Sequence, residues 1–284
     1  MSRSATFFLT LLAMLAFAGN SLLCRQALRH TSIDPASFTS IRILSGAMSL
    51  WLIIQLRSGT RAAAGSWPSA LALFVYAAAF SYAYVSLPAA TGALLLFGAV
   101  QATMVGYGLR AGETLGMRQS AGLVFAFIGL AGLLLPGLSA PPLPAAALML
   151  GAGVAWGVYS LRGKGAGDPT RVTAGNFLRA APLAMALSLF MLKGASLDAA
   201  GVWYAVLSGA LTSGVGYAIW YAALPALKAT NAATVQLSVP VIAALGGIVF
   251  LGEPVTLRLA LASAAILGGI ALVVLEKRAV GGAS

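Results

Sequence analysis

Apolar stretches, each roughly twenty residues long and so able to cross a bilayer as a helix, follow one another along almost the whole chain. We read ten of them, at 5–24, 36–56, 68–87, 89–110, 117–136, 143–163, 171–192, 199–222, 229–251 and 255–275. The breaks fall at Asp34-Pro35, Pro88, Gly112-Glu113, Pro141-Pro142, Asp168-Pro169, Pro225 and Gly252-Glu253-Pro254, where Pro, Gly or charge ends a helix. The runs are continuous rather than alternating, which argues against a β-barrel. Ten spans in 284 residues leave only short loops and no room for a soluble domain. Composition agrees, because 60 % of residues are apolar and 8 % charged, whereas a soluble domain carries about 25 % charged residues. The fold class expected is an all-α polytopic membrane protein.

The chain also repeats itself. Gly112-Glu113, Arg118 and Gly129 recur as Gly252-Glu253, Arg258 and Gly269, an offset of 252 − 112 = 140. Upstream, Arg42, Phe80, Tyr84 and Leu87-Pro88 recur as Arg179, Tyr217, Tyr221 and Leu224-Pro225, an offset of 217 − 80 = 137. Residues 1–138 and 139–284 therefore read as two copies of a five-span unit. Five is odd, so tandem copies must lie in the membrane with opposite orientations. That is the inverted-repeat plan of secondary transporters, with the solute site near the midplane between the halves.

The formal charge is +11, from 17 basic and 6 acidic residues. The basic residues sit singly in loops, a pattern of cytoplasmic anchoring rather than of nucleic-acid binding. With the N-terminus inside, the inner side holds Arg3, Arg57, Arg61, Arg110, Arg118, Arg162, Lys164, Arg171, Lys228, Lys277 and Arg278, and the outer side only Arg25, Arg29, Lys193 and Arg258. Both termini are expected in the cytoplasm. The apolar run from Thr6 continues to Leu23 and similar runs follow, so a cleaved signal peptide is rejected. Cys24 reads as a small packing residue. One Cys and one His (His30) exclude a disulfide and a Cys or His metal site. No metal and no cofactor is expected.

All six carboxylates, Asp34, Glu113, Asp168, Asp198, Glu253 and Glu276, fall at span ends. An intramembrane enzyme would need a nucleophile–base pair or a metal site, and neither can be assembled. A buried carboxylate for a coupling ion is lacking too, which favours facilitated diffusion or another mode of coupling. Aromatic and neutral polar groups remain to line a pathway. Tyr76, Phe80 and Tyr84 fall at i, i+4, i+8 on the third span, and Tyr217, Trp220 and Tyr221 share a face of the eighth. Tyr84 and Tyr221 also lie near enough to span ends for an interfacial aromatic belt, while Tyr217 favours the cavity. Spacing turns Tyr82 toward a neighbouring helix. The amides Asn20, Gln101, Asn176 and Gln236 lie inside spans where hydrocarbon offers them no partner; each is either cavity-lining or interhelical glue. Phe97 lies one turn before Gln101. Trp156 and Tyr159 sit deep in the sixth span.

Arg42 and Arg179 are the charges inside spans, each near one helix end. Snorkelling to the headgroups is the default, with pairing to a solute carboxylate or a gating partner as the functional reading. Glu113 and Glu253 are expected to cap the fifth and tenth helices. Glycines 122, 129, 132, 153, 157, 268 and 269 are expected at close helix contacts, and Pro240 to kink the ninth helix.

These residues together resemble the EamA-type exporters of the drug/metabolite transporter superfamily. The resemblance covers nearly the whole chain. It rests on the paired Gly-Glu steps, Gly19-Asn20, Trp156-Gly157, Arg42 early in the second helix, and Leu87-Pro88-Ala89-Ala90-Thr91 leading to Val100-Gln101. It implies ten helices around a central cavity in a bacterial inner membrane. It also implies export of small metabolites, with exporters of aromatic and other neutral amino acids in the group. The first, third, fourth, sixth, eighth and ninth helices would line the cavity. Asn20, Phe97, Gln101, Trp156, Tyr159 and Tyr217 gain support, and Tyr82 rises beside Tyr84. Two departures weaken assignment of a solute by analogy: Ala18 replaces a Trp before Gly19-Asn20, and the fourth helix lacks the mid-helix proline that Pro240 supplies in the ninth. The implied partners are a small-molecule solute and the bilayer, with a monomer compatible. Export of a drug-like or nucleoside solute, or a non-catalytic membrane scaffold, are the other readings. The charge asymmetry makes a direct prediction: a fluorescent protein fused to the C-terminus folds and emits, whereas alkaline phosphatase fused there stays inactive.

Overall fold

The computed structural model describes residues 3–58, 64–112, 115–135, 137, 140–163, 168–223, 226–227 and 235–280. Arg61, Glu113, Lys164, Pro225, Lys228 and positions 229–234 of the expected ninth span lie outside the described residues. Among the described residues, ten helices carry the fold: α1 Arg3–His30, α2 Pro35–Ser58, α3 Trp67–Tyr84, α4 Ala89–Arg110, α5 Met117–Leu134, α6 Leu143–Arg162, α7 Pro169–Phe190, α8 Ala199–Ala223, α9 Ser238–Leu251 and α10 Leu257–Val280. No strand occurs among the described residues.

Helix starts follow from short polar side chains that take up free backbone N–H groups. Asp34 accepts from Ala36 and Ser37, both at 3.0 Å. Asp168 accepts from Thr170 at 3.0 Å and Asp198 from Gly201 at 3.2 Å. Ser66 opens α3. α9 ends on Gly252, whose φ of 62° is the left-handed conformation open to glycine.

Among the described residues seven helices, α1, α2 and α4 to α8, are long and apolar enough to cross a membrane. The chain is thus a multi-pass membrane protein. Many large apolar side chains face outward, among them Phe127, Phe250, Leu257 and Leu56. α9 and the stretch Leu257–Leu272 of α10 are equally apolar but shorter. α3 has 18 residues and fails on composition, because it carries Ser69, Tyr76, Ser81, Tyr82 and Tyr84. Four of those five are buried, so its polarity faces the interior of the bundle.

α6 packs on α3 and α4, α1 on α8 and α9, and α2 on α7 and α8, while α5 and α10 pair at the periphery beside α4. Small residues set these crossings. A Cβ on Gly153 would meet Leu96 O at 2.5 Å, one on Gly209 would meet Arg42 O at 2.1 Å, and one on Gly269 would meet Gly122 O at 2.3 Å. Gly129, Gly157 and Gly122 serve as expected, but Gly132 and Gly268 face open space and take no part in close contact.

Three features differ from expectation. α1 continues to His30, six residues past the end read from hydropathy, which places Arg25 inside a helix rather than in a loop. Pro240 falls in the first turn of α9, where a missing N–H is harmless, so it does not kink the described helix. α8 widens into a π-helical stretch at Leu207–Val215, which turns Ser208, Thr212 and Ser213 inward. The crossing geometry predicts that Gly153→Ala lowers the melting temperature, by strain on the order of 1–3 kcal/mol. Gly151→Ala on the same helix, with nothing within 4 Å of its Cβ, leaves it unchanged or raises it.

Candidate functional site

A small cavity of about 20 Å³ lies at the centre of the bundle. That holds a water molecule and no metabolite. Its wall comes from α1 (Phe17, Asn20, Ser21), α3 (Tyr76, Phe80), α4 (Leu96, Phe97), α6 (Trp156) and α8 (Thr212, Tyr217). The aromatic rings form a continuous chain. Tyr84 meets Phe80 at 4.7 Å between centroids, Phe80 meets Tyr76 at 5.4 Å, Tyr76 meets Trp156 at 4.8 Å and Trp156 meets Tyr217 at 5.1 Å. Phe17 and Phe177 close on Tyr217 edge-on, at 5.8 and 5.9 Å. Such pairs each contribute about 0.5–1.5 kcal/mol beyond their burial.

A polar seam runs beside these rings. Asn20 Oδ1 accepts from Ser208 Oγ at 2.7 Å and from Thr212 Oγ1 at 3.3 Å. Its Nδ2 donates to the Tyr76 hydroxyl at 3.3 Å. Arg42 Nη2 donates to the same hydroxyl at 3.1 Å, and Nε to Ser213 Oγ at 3.4 Å. The Arg42 guanidinium lies over the rings of Tyr76 and Phe80, 5.2 and 4.9 Å from their centroids. Arg42 is 2 % exposed. It does not snorkel: it stands about 10 Å along α2 from Pro35 and turns into the bundle.

Among the described residues, polar contacts tie helices together at both ends of the bundle. At one end Arg25 Nε and Glu253 Oε1 form a part-buried ion pair at 2.9 Å. Arg25 Nη1 also donates to the carbonyls of Tyr84 and Val85, where α3 ends, and Glu253 Oε2 accepts from Ala89 N, where α4 begins, at 2.7 Å. Glu253 therefore caps α4, not α10. The reason is that α10 starts only at Leu257, while the Gly252 turn aims the carboxylate at the α3–α4 corner. At the same end Ser196 N donates to Asp34 Oδ2 and Ser32 N to Asp198 Oδ1, tying two loops together. Burial pushes the Asp34 carboxyl up, but hydrogen bonds from Ser37, Ser196 and Ala36 outweigh it and hold it below the usual carboxylate range. The stability it contributes is present at neutral pH and is lost as pH falls through that lowered value.

At the other end the contacts run through an asparagine amide and two arginines. Asn176 Oδ1 accepts from Ser66 N at 3.0 Å, and Asn176 Nδ2 donates to the Tyr159 hydroxyl at 3.4 Å. Arg162 donates to Ser69 Oγ at 3.1 Å, and Arg179 to the carbonyls of Ala64 and Gly175.

Of the residues singled out from the sequence, Asn20, Phe97, Trp156 and Tyr217 meet at the central cavity. Tyr159 is joined to it through Trp156, at 5.4 Å, and with Asn176 belongs to the contacts at the end opposite Glu253. Tyr84 is fully buried and donates to Ala89 O, so it is no interfacial belt residue. Tyr82 stands apart, in a surface recess with Asp34, Pro35 and Lys193. Gln101 lies in a separate apolar crevice between α4, α5 and α10. Gln236 is half-buried just before α9. No α9 residue joins the described wall of the cavity. Phe17, Ser208 and Thr212 were missed; the two hydroxyls face inward only because of the π-helical stretch. Arg42 gave a usable signal in its depth along α2, whereas Arg25 and Glu253, 228 positions apart, gave none.

A bundle of this kind, with a central aromatic cavity between two latched ends, fits a carrier. The comparisons agree. The EamA-like transporter family matches at residues 143–275. A Pseudomonas aeruginosa protein, itself described only as uncharacterized, is 59 % identical over 94 % of both chains. A solved crystal structure superposes with a TM-score of 0.69 at 21 % identity, covering 98 % of this chain and 99 % of that one, and so shares the fold. The chain belongs to the EamA-like transporter family, whose members are membrane transporters of small solutes rather than enzymes.

Removing one partner from this part-buried ion pair leaves the other charge unpaired, at a cost of about 1–3 kcal/mol, less than for a fully buried pair. Glu253→Ala therefore lowers the melting temperature sharply. The double variant Arg25→Met/Glu253→Leu recovers part of the loss in the same melt.

Proposed function

We propose that this chain is a secondary exporter of small metabolites, most readily neutral or aromatic amino acids, working by alternating access. Its ten helices form two inverted five-helix repeats, 1–138 and 139–284, in a bacterial inner membrane with both termini cytoplasmic. The observation that carries this reading is the central aromatic cavity, closed at both ends by polar contacts that a conformational change can exchange one at a time.

Helix packing supports the repeat. Exchanging α1 with α6, α2 with α7, α3 with α8, α4 with α9 and α5 with α10 maps the α3–α6 pair onto α8–α1 and the α4–α6 pair onto α9–α1, while α2–α7 and α5–α10 map onto themselves. The family match, confined to 143–275, coincides with the second unit. With the N-terminus inside, the Arg25–Glu253 pair closes the outer side and Asn176 the inner side. Apolar side chains would lie among Trp156, Phe97 and Tyr217. A solute must displace those rings, because the cavity has room for no more than a water molecule.

Purified protein in liposomes loaded with labelled amino acids tests the reading. Wild type releases one or a few of them selectively. Trp156→Ala and Tyr217→Ala slow that efflux by about ten-fold or more, the scale of losing a well-packed aromatic contact of some 1.4 kcal/mol or above. Gln101→Ala, in the lateral crevice, stays close to wild type. Efflux of no amino acid from wild type overturns the assignment to amino acids, and equal rates for the Trp156 and Tyr217 variants overturn the site.

A further inference from the structure

We propose that the central cavity holds its solute by a carboxylate, with Arg42 as the counter-charge and Asn20 and Tyr76 as its neighbouring donors. This rests on the transport reading and specifies the solute class of the same site.

The case is one of unbalanced charge and unbalanced donors. Arg42 carries a full positive charge between helices, and among the described residues no carboxylate forms a salt bridge with it. Its Nη1 is buried without a hydrogen-bond partner. A buried cation left in that condition is strongly unfavourable, and ionisable groups held inside a membrane bundle mark solute or ion sites. The aromatic faces of Tyr76 and Phe80 compensate only in part.

The hydrogen bonds of the wall point the same way. Tyr76 Oη is a meeting point, since it accepts from both Arg42 Nη2 and Asn20 Nδ2. The acceptor on Asn20 is already taken by Ser208 and Thr212. Behind the wall stands the unpartnered Arg42 Nη1, and the wall itself presents the Asn20 amide and the Tyr76 hydroxyl, which a stronger acceptor can draw away from their present partners. A phenol oxygen is a weak acceptor for two such donors. A carboxylate oxygen is a stronger one, forms shorter charge-assisted bonds with guanidinium, and removes the charge imbalance at once. An ammonium group there finds no carboxylate in the lining and is repelled by Arg42. Tyr76 and Phe80 separate the guanidinium from the cavity, so the solute must part them, in keeping with the small volume of the closed state.

Three probes with one phenyl body dissect the charge: 3-phenylpropanoate, L-phenylalanine and phenethylamine. Thermal stabilisation of the purified full-length protein measures binding, and counterflow in liposomes measures transport. The two carboxylates raise the melting temperature in a saturable way and phenethylamine does not. Arg42→Gln weakens carboxylate binding by about ten-fold or more, the scale of a hydrogen bond to a charged group, and Arg42→Lys recovers part of it. Asn20→Asp, a change of nearly equal volume, supplies a carboxylate in place and abolishes binding of both acids even where Arg42→Gln fails to fold. The proposal is overturned if phenethylamine binds as well as the acids, if neither acid binds, or if Asn20→Asp still binds them. Counterflow that persists regardless of charge would leave the transporter standing without this site. Arg42-dependent binding with no counterflow would leave the site standing without transport.

Discussion

Hydrocarbon offers a polar group no partner, so every polar side chain that this bundle buries has to be satisfied by another helix. The seam from Ser208 and Thr212 through Asn20 and Tyr76 to Arg42 and Ser213 is the main consequence. It joins α8, α1, α3 and α2 through groups with fixed directions. The aromatic chain from Tyr84 to Tyr217 packs along this seam and carries the contact to α6. Apolar side chains alone would hold these helices together with little preference for register, because lipid tails are as apolar as leucine. The seam supplies the register.

The two closures differ in kind, and the difference has consequences for motion. One rests on a part-buried ion pair that also ties the end of α3 to the start of α4. The other holds no ion pair among the described residues and rests on an asparagine amide and on arginine hydrogen bonds to neutral acceptors. Opening the first exposes two paired charges to water, which solvates them well. Opening the second separates no pair of opposite charges. Glycine and alanine at the α4–α6, α2–α8 and α5–α10 crossings let backbones touch, so these contacts can slide without repacking long side chains. The π-helical stretch of α8 lies between the closures and adjoins the cavity, where a change of helical pitch alters which hydroxyls face Asn20.

Part of the site was legible from spacing alone. Tyr76, Phe80 and Tyr84 at i, i+4, i+8 do share one buried face, and Trp156, Tyr217 and Asn20 lie as deep as their positions in the runs indicate. The face of α4 was misjudged, because Phe97 points to the cavity while Gln101, one turn on, looks into the crevice toward α5 and α10. Periodicity reports that two residues share a face over one turn, but a drift of a few degrees per residue decides which neighbour that face meets. The resemblance promoted Tyr82, which stands at the surface, whereas spacing alone had turned it away from the Tyr76 face.

Apolar run length, the breaks at Pro, Gly and charge, and the duplicated Gly-Glu steps determined the class of protein, the helix count and the family expectation. Those properties are local, or repeat at a constant offset, and need no knowledge of neighbours. Tertiary structure alone decided that Arg42 faces inward, that Glu253 caps α4 and pairs with Arg25, and that hydroxyls from a π-helical stretch complete the site. Each depends on helix rotation and tilt, which arise when polar groups far apart in the chain compete for the few partners a dry interior provides.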